Sequence, residues 1–261
     1  MKKTAKFLVV AAIMAFATSS SLMAQFKIGV KAGVSMNGMF GKDSFYDKYK
    51  VKPVCGFNVG IVGEYMINEK MSISAEVLYA RQGYSLYFEK NFVSEPFSTA
   101  LSIHSEGNIN TFSNHINVPV MFRYHFGSFA VEAGPQVGFC LGGKEKSHIE
   151  SDVTGSGDFL PPSTTHQTYD YNYTFEELES NGKERLGDYR MYNRVNVGFA
   201  VGVGYEFDFG MFLNVRYAMD FSNSYNKIIS DETTGKAVSW ENYPSKQWGV
   251  ALSVGYKFKI K

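Results

Sequence analysis

The sequence predicts an all-β fold, an eight-stranded antiparallel up-and-down transmembrane β-barrel, on three observations. Eight segments of roughly ten residues alternate apolar and polar side chains, as a strand with one face to lipid and one to a lumen must. The connections between them are by turns long and short. No apolar run after the leader is long enough for a spanning helix, and because hydrocarbon leaves backbone groups unsatisfied, strands that cross a bilayer must close into a barrel.

The leader comes first. Lys2, Lys3 and Lys6 precede an apolar stretch over 7–17, then Ser19-Ser20-Ser21-Leu22-Met23-Ala24. This reads as a secretory signal, residues 1–24, cleaved before Gln25, with 25–261 forming the barrel domain. Leu22 stands where Ala is commoner, and no Cys follows the site, which argues against a lipoprotein. Losing three lysines takes the formal charge from +1 to −2. Nothing in that balance points to nucleic acid. A hydrophobic fraction of 44% is low for a helical membrane bundle but fits a barrel, which shows lipid only alternate residues. Cys55 and Cys140 fall on opposite face parities of strands that are not neighbours; two thiols fit this better than a disulfide, which would need loop movement.

The strands follow in order. Over 26–37, Phe26, Ile28, Val30, Ala32, Val34 and Met36 oppose Lys27, Gly29, Lys31, Gly33 and Ser35. Over 55–67, Phe57, Val59, Ile61, Tyr65 and Ile67 face outward against Asn58, Gly60 and Glu64. Over 71–84, Ile73, Ala75, Val77 and Tyr79 oppose Ser72, Ser74 and Glu76. The fourth sets Ile116, Val118, Val120, Phe122 and Tyr124 against His115, Asn117, Arg123 and His125, with Pro119 predicting a bulge or irregular spot. The fifth sets Phe129, Val131, Ala133, Val137, Phe139 and Leu141 against Glu132, Gly134, Gln136 and Gly138, with Pro135 outward. The sixth alternates most cleanly: Val195, Val197, Phe199, Val201, Val203, Tyr205 and Phe207 against Asn196, four small residues and Glu206. The seventh opposes Met211, Leu213, Val215, Tyr217, Met219 and Phe221 to Asn214, Arg216, Asp220 and Ser222. The eighth opposes Trp248, Val250, Leu252, Val254, Tyr256, Phe258 and Ile260 to Gly249, Ala251, Ser253, Gly255 and Lys257.

Short turns at Asn68-Glu69-Lys70, Gly127-Ser128 and Asp208-Phe209-Gly210 alternate with expected loops near 38–54, 85–111, 143–193 and 223–247. In bacterial barrels short turns are periplasmic and long loops extracellular, so both termini are expected in the periplasm. Outward aromatics group by height into a periplasmic girdle (Phe26, Tyr65, Tyr124, Phe129, Tyr205, Tyr256, Phe258) and an extracellular one (Phe57, Tyr79, Phe139, Phe221, Trp248).

Gly29-Val30-Lys31-Ala32-Gly33, Asn117-Val118-Pro119-Val120, Glu132-Ala133-Gly134-Pro135 and Gly255-Tyr256-Lys257-Phe258 together give a chain that resembles the PorT-like outer-membrane β-barrel family of Gram-negative bacteria. The resemblance covers nearly all of the mature sequence and implies a multi-pass barrel in the cell outer membrane. It implies no single activity and no shared catalytic residues, and it permits an accessory role in protein export. The end, from Ser253 to Ile260, resembles the signal read by the outer-membrane assembly machinery, although Lys261 departs from its usual terminal aromatic.

Inward charges fall at similar depth: Lys27 and Lys31, Glu64, Glu76, Arg123, Glu132, Glu206, Arg216 and Lys257. An eight-stranded lumen is just wide enough for side chains to fill it, and buried charges persist when paired, so a mutually neutralising plug is expected. The alternative is a narrow ion or proton path along the same groups. Arg194 and Asp220 lie nearer the outer rim, where pairing is less defined.

Other motifs lead nowhere chemical. Gly138 to Lys144 has the glycine and lysine spacing of a phosphate loop, but Glu145 replaces the metal-holding hydroxyl. Asp208-Phe209-Gly210 stands without the other kinase motifs and reads as a turn. His115 with Ser113 lacks a positioned acid, and His104, His148 and His166 are loop residues without metal-ligand spacing. No catalytic residue, metal or cofactor is therefore expected.

The third loop carries Glu150, Asp152, Asp158, Asp170, Glu176, Glu177 and Glu179 among Tyr169, Tyr171, Tyr173 and Phe175. Tyrosines beside acids suit a contact surface for a protein or sugar; the other reading is a solvated shield. The sequence thus predicts a barrel whose partners are outer-membrane lipid, the assembly machinery and an extracellular or envelope protein, acting in envelope structure, adhesion or partner binding. A porin-like channel or a secretion accessory is the alternative. A soluble lipocalin-like barrel would carry its apolar face inward, opposite to the charge pattern here.

Overall fold

The structure, a computed structural model, describes residues 25–41, 49–94, 101–155, 163–174, 190–230, 237–243 and 245–259. The expected signal segment lies outside them. The strands are β1 (Phe26–Gly41), β2 (Tyr49–Met66), β3 (Met71–Ser94), β4 (Leu101–Phe126), β5 (Phe129–Gly155), β6 (Ser163–Thr174), β7 (Arg190–Tyr192), β8 (Val195–Glu206), β9 (Met211–Asp220), β10 (Tyr225–Ser230), β11 (Ala237–Tyr243) and β12 (Ser245–Lys259). Eight of them, β1, β2, β3, β4, β5, β8, β9 and β12, pair antiparallel in that order, and β12 pairs back onto β1 to close the ring.

Burial is inverted relative to a water-soluble protein. Val30, Val34, Ile61, Phe122, Val203, Leu252 and Phe258 are exposed, whereas Lys31, Glu64, Glu76, Arg123, Glu132, Arg216 and Lys257 are each at most 5% exposed. Side chains alternate across a strand, so the outer face is apolar and the inner face polar around the whole ring. Aromatic contacts sit at both ends of the apolar band: Phe129 against Tyr205 (ring centroids 4.8 Å) and Tyr256 against Phe258 (4.8 Å) at the short-turn end, Phe57 against Tyr79 (6.0 Å) and Phe40 against Trp248 (5.6 Å) at the other. The thiols are free, Cys55 exposed and Cys140 buried.

The short turns have local causes. The Asn68 carboxamide oxygen accepts from the Lys70 and Met71 amides at 2.9 Å each, an Asx turn. Gly127 and Gly210 take φ of 64° and 98°, where a side chain is disfavoured.

Two expectations are corrected. The predicted loops contain extensive sheet: β3 and β4 continue as a paired hairpin over 85–94 and 101–110, and β5 continues to Gly155 against β4 on one side and β6 on the other. A separate three-stranded sheet joins β7, β10 and β11. On β3 the residues Tyr84, Leu86 and Phe88 carry a buried apolar face into the extension, whereas 101–110 and β6 are mostly polar in sequence, so the pattern thins and cross-strand pairing holds the sheet. Of the bulge or irregular spot expected at Pro119, the irregularity is there, since the ladder to β3 lapses at Val118 and Pro119, and the bulge is elsewhere. The β3 register is the same on both sides of Pro119, from Ala75↔Val120 to Leu78↔Asn117, and the β4–β5 register shifts between Asn114 and His115, opposite Gly142 with φ 133°. A ring can omit ladder bonds at proline and keep register, whereas an extra residue must be absorbed where the backbone can turn.

Candidate functional site

Each of the eight ring strands sends at least one ionisable side chain into the same tier of the lumen, because the residues involved share inward parity. The ion pairs join them in a row of alternating sign. Lys27 Nζ lies 2.6 Å from Glu206, whose other oxygen is 2.7 Å from Lys257 Nζ; Lys257 is 2.5 Å from Glu64, and Glu64 is 2.8 Å from Arg123 Nη1. Arg123 Nε stands 3.2 Å from Glu132, off the hydrogen-bonding direction. Glu132 takes Arg216 at 2.6 Å, Arg216 grips Glu76 through two bonds of 2.8 Å, and Glu76 ends the row on Lys31 at 3.3 Å.

Neutral groups complete the tier. Ser72 Oγ donates to Glu64 at 2.6 Å and meets His125 at 2.8 Å; Asn214 bonds both Lys31 (3.0 Å) and Glu132 (3.1 Å). Lys257 Nζ also lies 4.8 Å from the centroid of the Phe212 ring. Gly202 is inward on β8 beside Glu132, and a methyl group there would press on the carboxylate. Met121, Val62 and Leu78 are buried apolar side chains on the same inward parity.

Every lumen residue named from the sequence, Lys31, Glu64, Glu76, Arg123, Glu132, Glu206, Arg216 and Lys257, belongs to this row. Phe212 and Met121 were not foreseen; they are large apolar side chains on the polar parity, and that displacement was the only signal they gave. Above the tier is a cavity of about 60 Å³ lined by Asn37, Asn58, Gln82, Asn117, Gln136 and Asp220 among others. Asp220 has no hydrogen-bond or ion-pair partner among the described residues. Below lies a wider mouth of about 480 Å³ bordered by Lys27, His125, Glu206, Lys257 and the short turns.

Elsewhere the chemistry is sparse. His115 Nε2 and Ser113 Oγ are 2.8 Å apart and buried, and among the described residues His115 has no carboxylate partner. No group of three or more His, Cys, Asp or Glu among the described residues is placed to hold a metal. Of the expected loop surface, Tyr169, Tyr171 and Tyr173 lie on β6, in backbone register with Ser147, Glu145 and Gly143 of β5. Phe175 lies outside the described residues.

Residues 16–226 match the family model described as outer membrane protein beta-barrel domain. No curated protein matches the chain. Among solved structures, Ail, the attachment invasion locus protein of Yersinia pestis, is 11% identical over 90% of this chain and 99% of its own, with a TM-score of 0.37. The outer membrane protein OprG from Pseudomonas aeruginosa is 10% identical over 89% of this chain and 95% of its own, with a TM-score of 0.36. The chain belongs to the outer membrane protein β-barrel domain family, and its place is the outer membrane.

Proposed function

We propose that this protein is a closed outer-membrane barrel that presents a raised β-sheet to partners at the cell surface, in adhesion or envelope organisation, and that it performs no catalysis. The observation that carries the reading is the continuity of the β3–β4–β5–β6 sheet beyond the ring, joined to a lumen crossed by an unbroken row of ion pairs. A spanning strand needs about 9–11 residues, and β4 and β5 have 26 and 27. More than half of each is therefore outside what the membrane requires. In this reading the short turns and both termini are periplasmic, the long-connection end is extracellular, and the narrower kinship is to the PorT-like barrels.

The test uses the purified barrel in nanodiscs beside a variant in which residues 85–110 are replaced by a two-residue turn. Both are applied to arrayed glycans and to extracellular and envelope proteins. Binding by the full chain that the shortened barrel loses is the expected result. Equal binding by both, or none by either, would overturn the surface-sheet reading.

A narrow channel is the second reading, and the cavity and mouth on either side of the charged tier favour it. Opposite charges at hydrogen-bond distance hold each other rather than a passing ion, which sets it behind the first.

A further inference from the structure

We propose that the outer face of the barrel, immediately above its apolar band, is a binding site for the phosphorylated headgroup of an outer-leaflet lipid, built from Lys50, Lys52 and Arg81 on β2 and β3. The proposal rests on the extracellular placement of the long-connection end given above.

Register orders the face in rows. Val59, Tyr79, Ile116 and Phe139 form an outward row that is wholly apolar. The next row brings Phe57, Arg81 and Asn114, and the one above it Gly83, Phe112 and Lys144. The β2–β3 register shifts between Pro53 and Phe57, and beyond it Lys52 stands opposite Ser85 and Lys50 opposite Tyr87. Without that shift the alternation of β2 would turn these lysines toward the inner face. All three cations are exposed. On β3, β4 and β5 the carboxylates of this face begin at the row of Glu89, Glu106 and Glu150. Lys146 has Asp170 of β6 as its register neighbour and is left out of the site.

The cations are held on aromatic supports. Arg81 Cζ lies 4.6 Å from the Phe112 ring centroid, and Lys52 and Lys50 Nζ lie 5.1 and 6.0 Å from that of Tyr87. Tyr87 is itself fixed, its hydroxyl donating to Glu106 at 3.0 Å. Cation–π contact positions a charge and leaves its hydrogen bonds free for an anion. Arg adds a planar fork suited to phosphate.

Position decides the occupant. Arg81 continues the face that meets hydrocarbon one row beyond its wholly apolar row, with Lys52 and Lys50 two and three rows further out, so an acidic soluble protein would have to enter the headgroup layer to reach Arg81. A lipid phosphate is already there. A juxtamembrane cation contributes about 1 kcal/mol near an anionic surface, so three together amount to more than a hundredfold in affinity.

The test titrates detergent-purified protein with diphosphorylated lipid A, with the same lipid stripped of phosphate, and with inorganic phosphate, reading the thermal unfolding midpoint. The protein is the wild type or the K50Q/K52Q/R81Q variant, whose folding is checked by heat-modifiable gel migration. The expected result is a rise with phosphorylated lipid alone, its half-saturation moved about a hundredfold in the variant. An equal response to stripped lipid, or an unchanged response in the variant, would overturn the site. A rise with inorganic phosphate would overturn the lipid as occupant. In cells, an Asn108→Cys probe lacking the native cysteines reports orientation separately: labelling by an impermeant maleimide supports the outer leaflet, and protection overturns that placement whatever the titration shows.

Discussion

Glu64 meets Arg123, Lys257, His125 and Ser72 at once, with no exposed surface of its own. Its replacement by Leu leaves buried cations without their shared anion, a change that costs about 3–5 kcal/mol when one partner of a buried pair is removed. We expect Glu64→Leu to lower urea stability in detergent by that amount. Glu206, whose side chain is 19% exposed, lets water replace the lost carboxylate, and Glu206→Gln should cost about 1 kcal/mol or less. Equal losses in the two variants would show that burial does not set the strength of the row. These residues were legible in the sequence because inward parity and charge coincide. Their order of pairing was not, since each strand fixes only depth and face, while partner choice depends on shear around the ring.

At the scale of elements, turns and extensions make separate claims. Asn68→Ala removes the acceptor for two turn amides and should cost about 1 kcal/mol. Gly210→Val forces a branched side chain into φ 98° and should cost about 1–2 kcal/mol. Both are read from urea midpoints against the wild type. The extensions predict amide exchange: residues 85–91 and 104–111 pair along their length and should be protected well beyond a solvated loop. Exchange there at unstructured-chain rates would return these segments to loops. The eight spanning strands were readable because lipid on one side and a polar lumen on the other impose period two. In the extension Tyr84, Leu86 and Phe88 keep one buried apolar face on β3, but the partner segment 101–110 is mostly polar, so period two fades from the hydrophobicity of the hairpin.

For the whole molecule, the apolar outer band and the buried charged tier are two sides of one alternation, and each requires the other. Asp220 marks where this balance ends, a carboxylate facing the upper cavity above the neutralised row. The central claim is that the row from Lys27 to Lys31 closes the lumen. Single-channel recording of the purified protein in planar bilayers tests it most directly. The account expects no steady current at moderate voltage, with conductance gained when Arg216→Ala and Glu132→Ala together open the tier. A steady, charge-selective current through the wild-type barrel, altered by substitution at Arg123 or Glu132, would contradict it.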